Sequence, residues 1–208
     1  MPRFLCRTLP FAILAATLAA SDALAARAKP LQTGQGYDDY GAAGATTAGL
    51  GRSFVDNGLG FVKDQRTGLV WEKKDRSGGV HDKDAKYTWT AGTTQASGTA
   101  FTVFLATLNA HPCFAGYCDW RLPTVRELST LVNFGTSKPA AYPDFNDACS
   151  ASCLVTACSC TGQTSYWSSS TLPLPATTSA WTVNFGNGGT SSADKTNSYA
   201  VRAVRSGP

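Results

Sequence analysis

Short apolar or alternating runs, separated by Gly, Asn and Pro, follow one another along residues 53–205 and predict several strands. The first two strands flank Asn57-Gly58 and are predicted to form a hairpin, because this dipeptide supplies the positive-φ residues of a two-residue loop. A later turn is predicted at Gly186–Gly189. Further strands are predicted at residues 68–73, 87–90, 165–168, 180–185 and 199–205.

Two segments have helical periodicity instead. In the first, apolar residues recur at i, i+3, i+4 and i+7, namely at Phe101, Phe104, Leu105 and Leu108. The second is predicted to begin at Thr124, because Thr as N-cap and Glu127 three residues later form a capping box. Residues 138–163 have neither period and predict an irregular loop. Few helices among many short strands indicate an α+β domain with antiparallel sheets.

The first 25 residues have the pattern of a signal peptide. Arg3 and Arg7 precede an apolar stretch, and Ala23-Leu24-Ala25 offers a small-x-small cleavage site. The stretch is shorter than the roughly 20 residues that a membrane-spanning helix needs, so no transmembrane anchor is expected. We predict a secreted, periplasmic or cell-surface protein with a flexible linker over residues 26–52 and a folded domain over residues 53–206.

The composition excludes several classes of protein. Charged residues make up 15% of the chain, below the usual value of about 25%, which argues against a coiled coil or a charge-rich helical bundle. The formal charge is only +4 and no basic run alternates with aromatic residues, so nucleic acid is not an expected partner. With 43% hydrophobic residues and 5 Trp, the chain can bury a substantial core.

The predicted mature chain retains six cysteines: Cys113, Cys118, Cys149, Cys153, Cys158 and Cys160. An even number in an oxidising compartment predicts three disulfides. We expect Cys113–Cys118 as a local bridge, with Cys149 and Cys153 each joined to Cys158 or Cys160 in an order that stays open. A zinc site is the alternative, since the last four cysteines could supply four thiolates.

No motif in the chain predicts catalysis, a metal site or a cofactor. The histidines are His81 and His111, and there is no metal-binding His cluster, nucleophile elbow or phosphate-binding Gly loop. Asp56, Asn57 and Asp64 could suggest calcium, but a hairpin turn explains them better. The charged residues between Glu72 and Lys86 alternate in sign, which predicts a solvated mixed loop more than a cationic patch.

A series of motifs runs through the predicted domain, and all five tryptophans lie inside it. The motifs are Phe54-Val-Asp-Asn-Gly58, Thr67-Gly-Leu-Val-Trp71, Tyr87-Thr-Trp89, Gly116-Tyr-Cys-Asp-Trp-Arg-Leu-Pro-Thr124, Tyr166-Trp-Ser-Ser169, Ala180-Trp-Thr-Val-Asn-Phe185 and Val201-Arg-Ala-Val-Arg205. The series resembles the C-terminal domain of the Legionella collagen-like adhesins. The segment Arg121–Glu127 and the closing Val-Arg also resemble the formylglycine-generating-enzyme fold, a relative of the C-type lectin fold.

The resemblance implies a C-type lectin-like α+β domain in which a twisted sheet and two helices present a loop-rich surface. It also implies an adhesin-like module that binds sulfated glycosaminoglycans, other glycans or an extracellular protein, and that could form homo-oligomers. The alternatives are a structural component of the cell envelope and, less favoured, an oxidase-like enzyme of the related fold.

The ligand-binding surface is predicted on the C-terminal hairpin. Trp181 and Trp167 are the two tryptophans considered for a surface position, while Trp120 is expected in the core. Arg121 and Glu127 are expected to form a structural pair beside the Thr124 cap. Short hydroxyl, amide and charged side chains suit a polyhydroxylated or sulfated ligand, with one lysine as the cation. The predicted ligand-binding residues are Trp181, Asn184, Ser191, Asp194, Lys195 and Asn197.

Overall fold

A computed structural model describes residues 53–92, 94–173 and 177–207. The predicted signal peptide and linker lie outside these residues. The strands are β1 (Phe54–Asp56), β2 (Phe61–Asp64), β3 (Val70–Glu72), β4 (Tyr87–Thr88), β5 (Ser165–Thr171), β6 (Ser179–Asn184), β7 (Thr190–Asp194), β8 (Ser198–Tyr199) and β9 (Val204–Arg205). They form antiparallel sheets in the orders β1-β2-β3-β9, β4-β8 and β5-β6-β7. No helix in the described ranges is long and apolar enough to cross a membrane.

Both predicted helices form, but each is short. The first begins as a π-helical segment, Ala100–Leu105, and continues as α1 (Ala106–Asn109). It buries Phe104 and Leu108 and leaves the other two predicted apolar positions partly buried. The second, α2 (Val125–Ser129), has the predicted capping box, in which the Glu127 N–H and the Thr124 N–H each donate to the other residue's side chain.

The core consists of two apolar clusters separated by the sheets. Along β6, Ala180 belongs to one cluster while Val183 belongs to the other, as expected for successive side chains on opposite faces. The first cluster includes Trp89, Phe104, Leu108, Trp120 and Trp167. The second includes Trp71, Leu128, Leu131, Phe145 and Phe185. Trp120 is 3% exposed, as predicted, and its Nε1–H donates to the carbonyl of Phe114 at 3.0 Å.

The opening hairpin does not have the predicted two-residue loop. Asp56 pairs with Val62, so the turn is longer. The Asp56 and Asn57 side chains accept hydrogen bonds from the amides two residues ahead, which gives two successive side-chain turns. Gly60 lies at φ 88°, and a Cβ there would come within 3.0 Å of Phe114 and Val155. Tertiary packing against this glycine therefore shapes the loop.

The predicted strand over residues 199–205 is two strands with different partners. β8 pairs with β4 and β9 pairs with β3. Between them Arg202, only 1% exposed, turns inward. Its Nη2 donates to the Cys160 carbonyl at 2.6 Å and to Thr161 Oγ1 at 3.0 Å. The chain leaves one sheet and enters another at this buried arginine.

Three disulfides join the cysteines of the folded chain: Cys113–Cys118, Cys149–Cys160 and Cys153–Cys158. The first is the predicted local bridge, and the other two resolve the order that the sequence left open. The sulfurs of Cys153, Cys158 and Cys160 lie within 4.8 Å of one another. This spacing is that of two adjacent disulfides, which cross-link the irregular loop within itself.

Candidate ligand-binding clefts

Lys195, the predicted ligand-binding cation, is buried and is not available at the surface. The residue is 1% exposed. Its Nζ donates to the carbonyls of Thr177 at 2.7 Å and Thr94 at 3.1 Å and lies 4.1 Å from the ring centroid of Trp89. Burial lowers the pKa of Lys195. The ammonium group of Lys195 therefore connects the segments that contain Thr94 and Thr177 inside the fold.

The other predicted ligand-binding residues lie on both faces of β6 and β7. Trp181 pairs with Ser192, so these two residues share a face, whereas Ser191 pairs with Thr182 on the opposite face. Asn184 is half-buried, and its Oδ1 accepts a hydrogen bond from the Gly186 amide. The predicted set is therefore not a single surface.

Asp194 and Asn197 lie at the exposed end of this hairpin. The Asp194 carboxylate accepts hydrogen bonds from both the amide and the hydroxyl of Thr196, and these bonds lower its pKa. The polar stretch after the predicted turn is itself the edge strand β7, which the sequence did not predict.

The polar residues of β6 do not form a face that is open to solvent. Thr182 is 2% exposed, and its hydroxyl donates to the Ser191 carbonyl at 3.2 Å. Both faces of β6 contribute to core clusters, Ala180 to one and Val183 to the other, so alternation along β6 does not separate core from solvent. Trp167 is fully buried, which leaves Trp181 as the partly exposed member of the predicted pair.

The charged segment that begins at Glu72 was predicted to be solvated, yet its first residues are buried. Glu72 and Lys74 are 0% exposed, and Lys73 is 2% exposed. Glu72 Oε1 accepts from His81 Nδ1 at 2.7 Å and from Lys74 Nζ at 3.1 Å, while Oε2 accepts from the Ala203 amide at 2.8 Å. Sequence reasoning missed this cluster, because alternating charges are typical of exposed loops.

The electrostatics of the buried cluster follow from its contacts. Burial alone would raise the pKa of Glu72, but the Lys74 ammonium and the hydrogen bonds from His81 and Ala203 outweigh burial and hold it below its ordinary value. The Lys74 ammonium also lies 4.6 Å from the Phe104 ring centroid. The cluster joins β3 to the loop that follows it and to the C-terminal segment.

Three other lysines surround an open cleft of about 600 Å³. We call it the lysine cleft; its polar lining includes Lys83, Asp84, Lys86, Lys138, Asn146 and Gln163. Asp84 pairs with Lys83 at 2.7 Å. Lys86 and Lys138 are exposed and have no ion pair within the described part of the chain. Excess positive charge therefore lies in a concave surface.

Arg202 contributes a further positive charge behind the lysine cleft. Thr161 lines the cleft and accepts a hydrogen bond from Arg202. The two hydrogen bonds of the guanidinium go to uncharged oxygen atoms, and its Nη1 is buried without a partner. No sequence pattern connects Lys138 with Lys83 and Lys86, and only the folded chain brings them together.

A second, shallower depression lies between α2 and the sheet. This Trp181 groove, of about 430 Å³, is lined by Val125, Arg126, Ser129, Trp181 and Thr190. Of the predicted ligand-binding residues, Trp181 lines this groove, and its side chain is partly exposed there.

The described chain is a small α+β domain stabilised by three disulfides, with charged loops and surface clefts. The family model of the Lcl C-terminal domain matches residues 60–205. The chain therefore belongs to the Lcl C-terminal domain family, a family of adhesin-related domains. A search of curated proteins finds no match to the chain.

Proposed function

We propose that this domain is an exported, adhesin-like module that binds acidic glycans, with sulfated polysaccharides as the first class to test. The observation that carries the proposal is the lysine cleft, where Lys86 and Lys138 lack ion-pair partners in the described chain. Membership of an adhesin-related family supports the same function.

The charge and shape of the lysine cleft suit a polyanion. Lys83, Lys86 and Lys138 outnumber Asp84, the carboxylate in the lining, and the buried Arg202 adds positive potential behind Thr161. A cleft lined by an excess of one sign of charge concentrates the electrostatic potential that attracts a sulfate or carboxylate group. Asn146 and Gln163 in the lining offer amide groups that suit sugar hydroxyls.

We also propose that the domain binds its ligand without catalysing a reaction. Glu72 and Lys74, whose pKa values are both lowered, are fully buried and bonded to each other and to the main chain. Perturbed groups of this kind are also found in structural ion-pair clusters. Their contacts join three segments of the fold, which supports a structural role.

A C-type lectin-like fold is part of the proposal. The first and last strands of the described chain share one sheet, in the order β1-β2-β3-β9, and the cysteine-rich loop lies between them in sequence. An experimental structure that superposes on C-type lectin-like domains over both β1 and β9 would establish this assignment.

Heparin provides the direct test of glycan binding. We expect the mature domain to bind a heparin dodecasaccharide in calorimetry at 0.1 M salt, with an affinity that falls as salt rises. The double variant K86A/K138A should raise the Kd at least about tenfold, because it removes two charge-assisted contacts.

A matched variant distinguishes the cleft from general surface charge. K63A/R76A removes the same amount of positive charge from residues outside the cleft lining and should change the Kd by less than about twofold. Equal losses in the two variants would overturn the assignment to the cleft. No heparin binding by the parent domain would overturn the choice of sulfated glycans.

A further inference from the structure

Trp181 differs from the other four tryptophans of the chain. Trp71, Trp89, Trp120 and Trp167 are each at most 6% exposed, whereas Trp181 is partly exposed. The Nε1–H groups of Trp89, Trp120 and Trp167 donate to main-chain carbonyls. Within the described ranges, the Nε1–H groups of Trp71 and Trp181 have no acceptor, and of these two only Trp181 is exposed to solvent. Trp181 therefore offers both an aromatic surface and a free donor.

The surroundings of Trp181 come from three elements. Trp181 and Val183 share one face of β6, and α2 packs against this strand. Val125 and Ser129 are one helical turn apart on α2 and line the groove with Arg126. Thr190, the exposed first residue of edge strand β7, completes the lining.

Arg126 gives this mostly apolar groove a specific charge. The residue is exposed, and in the described part of the chain its guanidinium has no ion pair or side-chain hydrogen bond. The other arginine of this region, Arg121, is fully engaged, because its two Nη atoms hold the Glu127 carboxylate at 2.7 and 2.9 Å. Arg126 is thus free to bind a ligand anion.

We infer that the Trp181 groove is a subsite for a carboxylate-bearing pyranose ring, as in a uronic acid residue of a glycan. The apolar C–H face of the sugar ring stacks on the indole, and Arg126 binds the carboxylate through a planar, two-donor contact. Trp181 Nε1–H and the Thr190 hydroxyl are the available donors for ring hydroxyls. The inference rests on the proposed glycan binding and adds a second, lysine-independent subsite.

The test uses a hyaluronan hexasaccharide, which carries carboxylated rings and no sulfate. In a ¹⁵N–¹H spectrum of the mature domain, the indole signal of Trp181 is identified by its loss in W181F. We expect this signal to shift saturably with the saccharide, while the indole signals of the four buried tryptophans shift much less. The same spectrum reports whether each variant is folded.

Variants separate this subsite from the lysine cleft. R126A should raise the Kd for the hexasaccharide at least about tenfold, because it removes a charge-assisted contact. R76A, which removes another exposed arginine, should leave the Kd unchanged, and K86A/K138A should retain the Trp181 shift. A neutral N-acetylchitohexaose should bind at least about tenfold more weakly than the hexasaccharide.

The possible failures are distinguishable. An unmoved Trp181 signal, or an R126A titration that matches the parent, overturns the groove even if heparin still binds at the lysine cleft. Loss of heparin binding with a retained, Arg126-dependent Trp181 shift overturns the sulfated-ligand proposal and leaves the groove supported. A Trp181 shift that disappears in K86A/K138A overturns the claim of a separate subsite.

Discussion

At the scale of single residues, burial decides which charges are available for binding. Lys195 follows Asp194 in a polar stretch that contains few apolar residues, yet its ammonium is enclosed by Trp89 and two carbonyls. Lys86 and Lys138 are exposed at the lysine cleft. Lysine stems are long enough for either position, so the residue type alone does not distinguish them.

Lys195→Ala should destabilise the fold without weakening glycan binding. The variant leaves the carbonyls of Thr94 and Thr177 without their donor and removes the contact with Trp89, which together should cost about 2–4 kcal/mol of unfolding free energy. Urea denaturation measures this loss, and heparin calorimetry below the denaturation range checks the Kd. A parent-like stability with a weaker Kd would contradict the structural role of Lys195.

At the scale of elements, the sequence predicted the start of α2 correctly, because this helix end is specified by side chains close in sequence. The Thr124–Glu127 capping box forms as predicted, and Arg121 adds a two-bond contact to the same carboxylate. Strand β7 could not be found in this way. Its residues Thr-Ser-Ser-Ala-Asp have no apolar alternation, and it is a strand because β6 supplies its hydrogen-bond partners.

Thr124→Ala should destabilise α2 and the domain by about 1 kcal/mol, because the Glu127 amide loses its side-chain acceptor. Thermal and urea unfolding measure the change. Thr107→Ala is the matched control, since the exposed Thr107 hydroxyl donates to the Val103 carbonyl inside the first helix and does not cap a terminus. An unchanged unfolding midpoint for Thr124→Ala would show that α2 is stabilised by packing alone.

At the scale of the whole molecule, the buried charges connect distant parts of the chain. Glu72 in β3 binds His81 in the following loop and the Ala203 amide near the C-terminus. Arg202 binds the Cys160 carbonyl in the disulfide-linked loop. The sheets, the loop and the C-terminal segment are thus joined by polar contacts inside an otherwise apolar interior, where such contacts depend strongly on the protonation state.

Stability should therefore fall in acid. Because the pKa of Glu72 is lowered in the folded state, its contribution is complete above the ordinary value of about 4.3 and is lost as the pH falls through the folded value. Urea denaturation between pH 7 and pH 2 measures this loss. Glu72→Gln should reduce the acid-dependent loss and cost about 3–5 kcal/mol at pH 7, because Lys74 remains buried without its partner.

A control variant tests whether the acid sensitivity comes from the buried Glu72 and not from carboxylates in general. Asp147→Asn neutralises an exposed carboxylate and should leave both the stability at pH 7 and its acid dependence close to those of the parent. If Glu72→Gln has the same pH dependence as the parent, the acid sensitivity arises from other carboxylates.

The sequence by itself determined the α+β class, the two helices, the buried Trp120, the local Cys113–Cys118 bridge and the family of the domain. These features depend on short-range signals, such as apolar periodicity, a capping box and cysteine spacing, or on motifs in a fixed order. Each signal is complete within a few neighbouring residues or within the ordered series, so no knowledge of long-range contacts is required.

Only the tertiary structure decided which polar residues are buried and which surfaces are open. The burial of Glu72, Lys74 and Lys195, the pairing of β7, and the meeting of Lys138 with Lys86 depend on segments far apart in sequence. Because β6 packs against a core cluster on each face, its alternation of apolar and polar residues does not predict which residues are exposed. For this reason the candidate glycan sites became visible only when the folded chain brought these segments together.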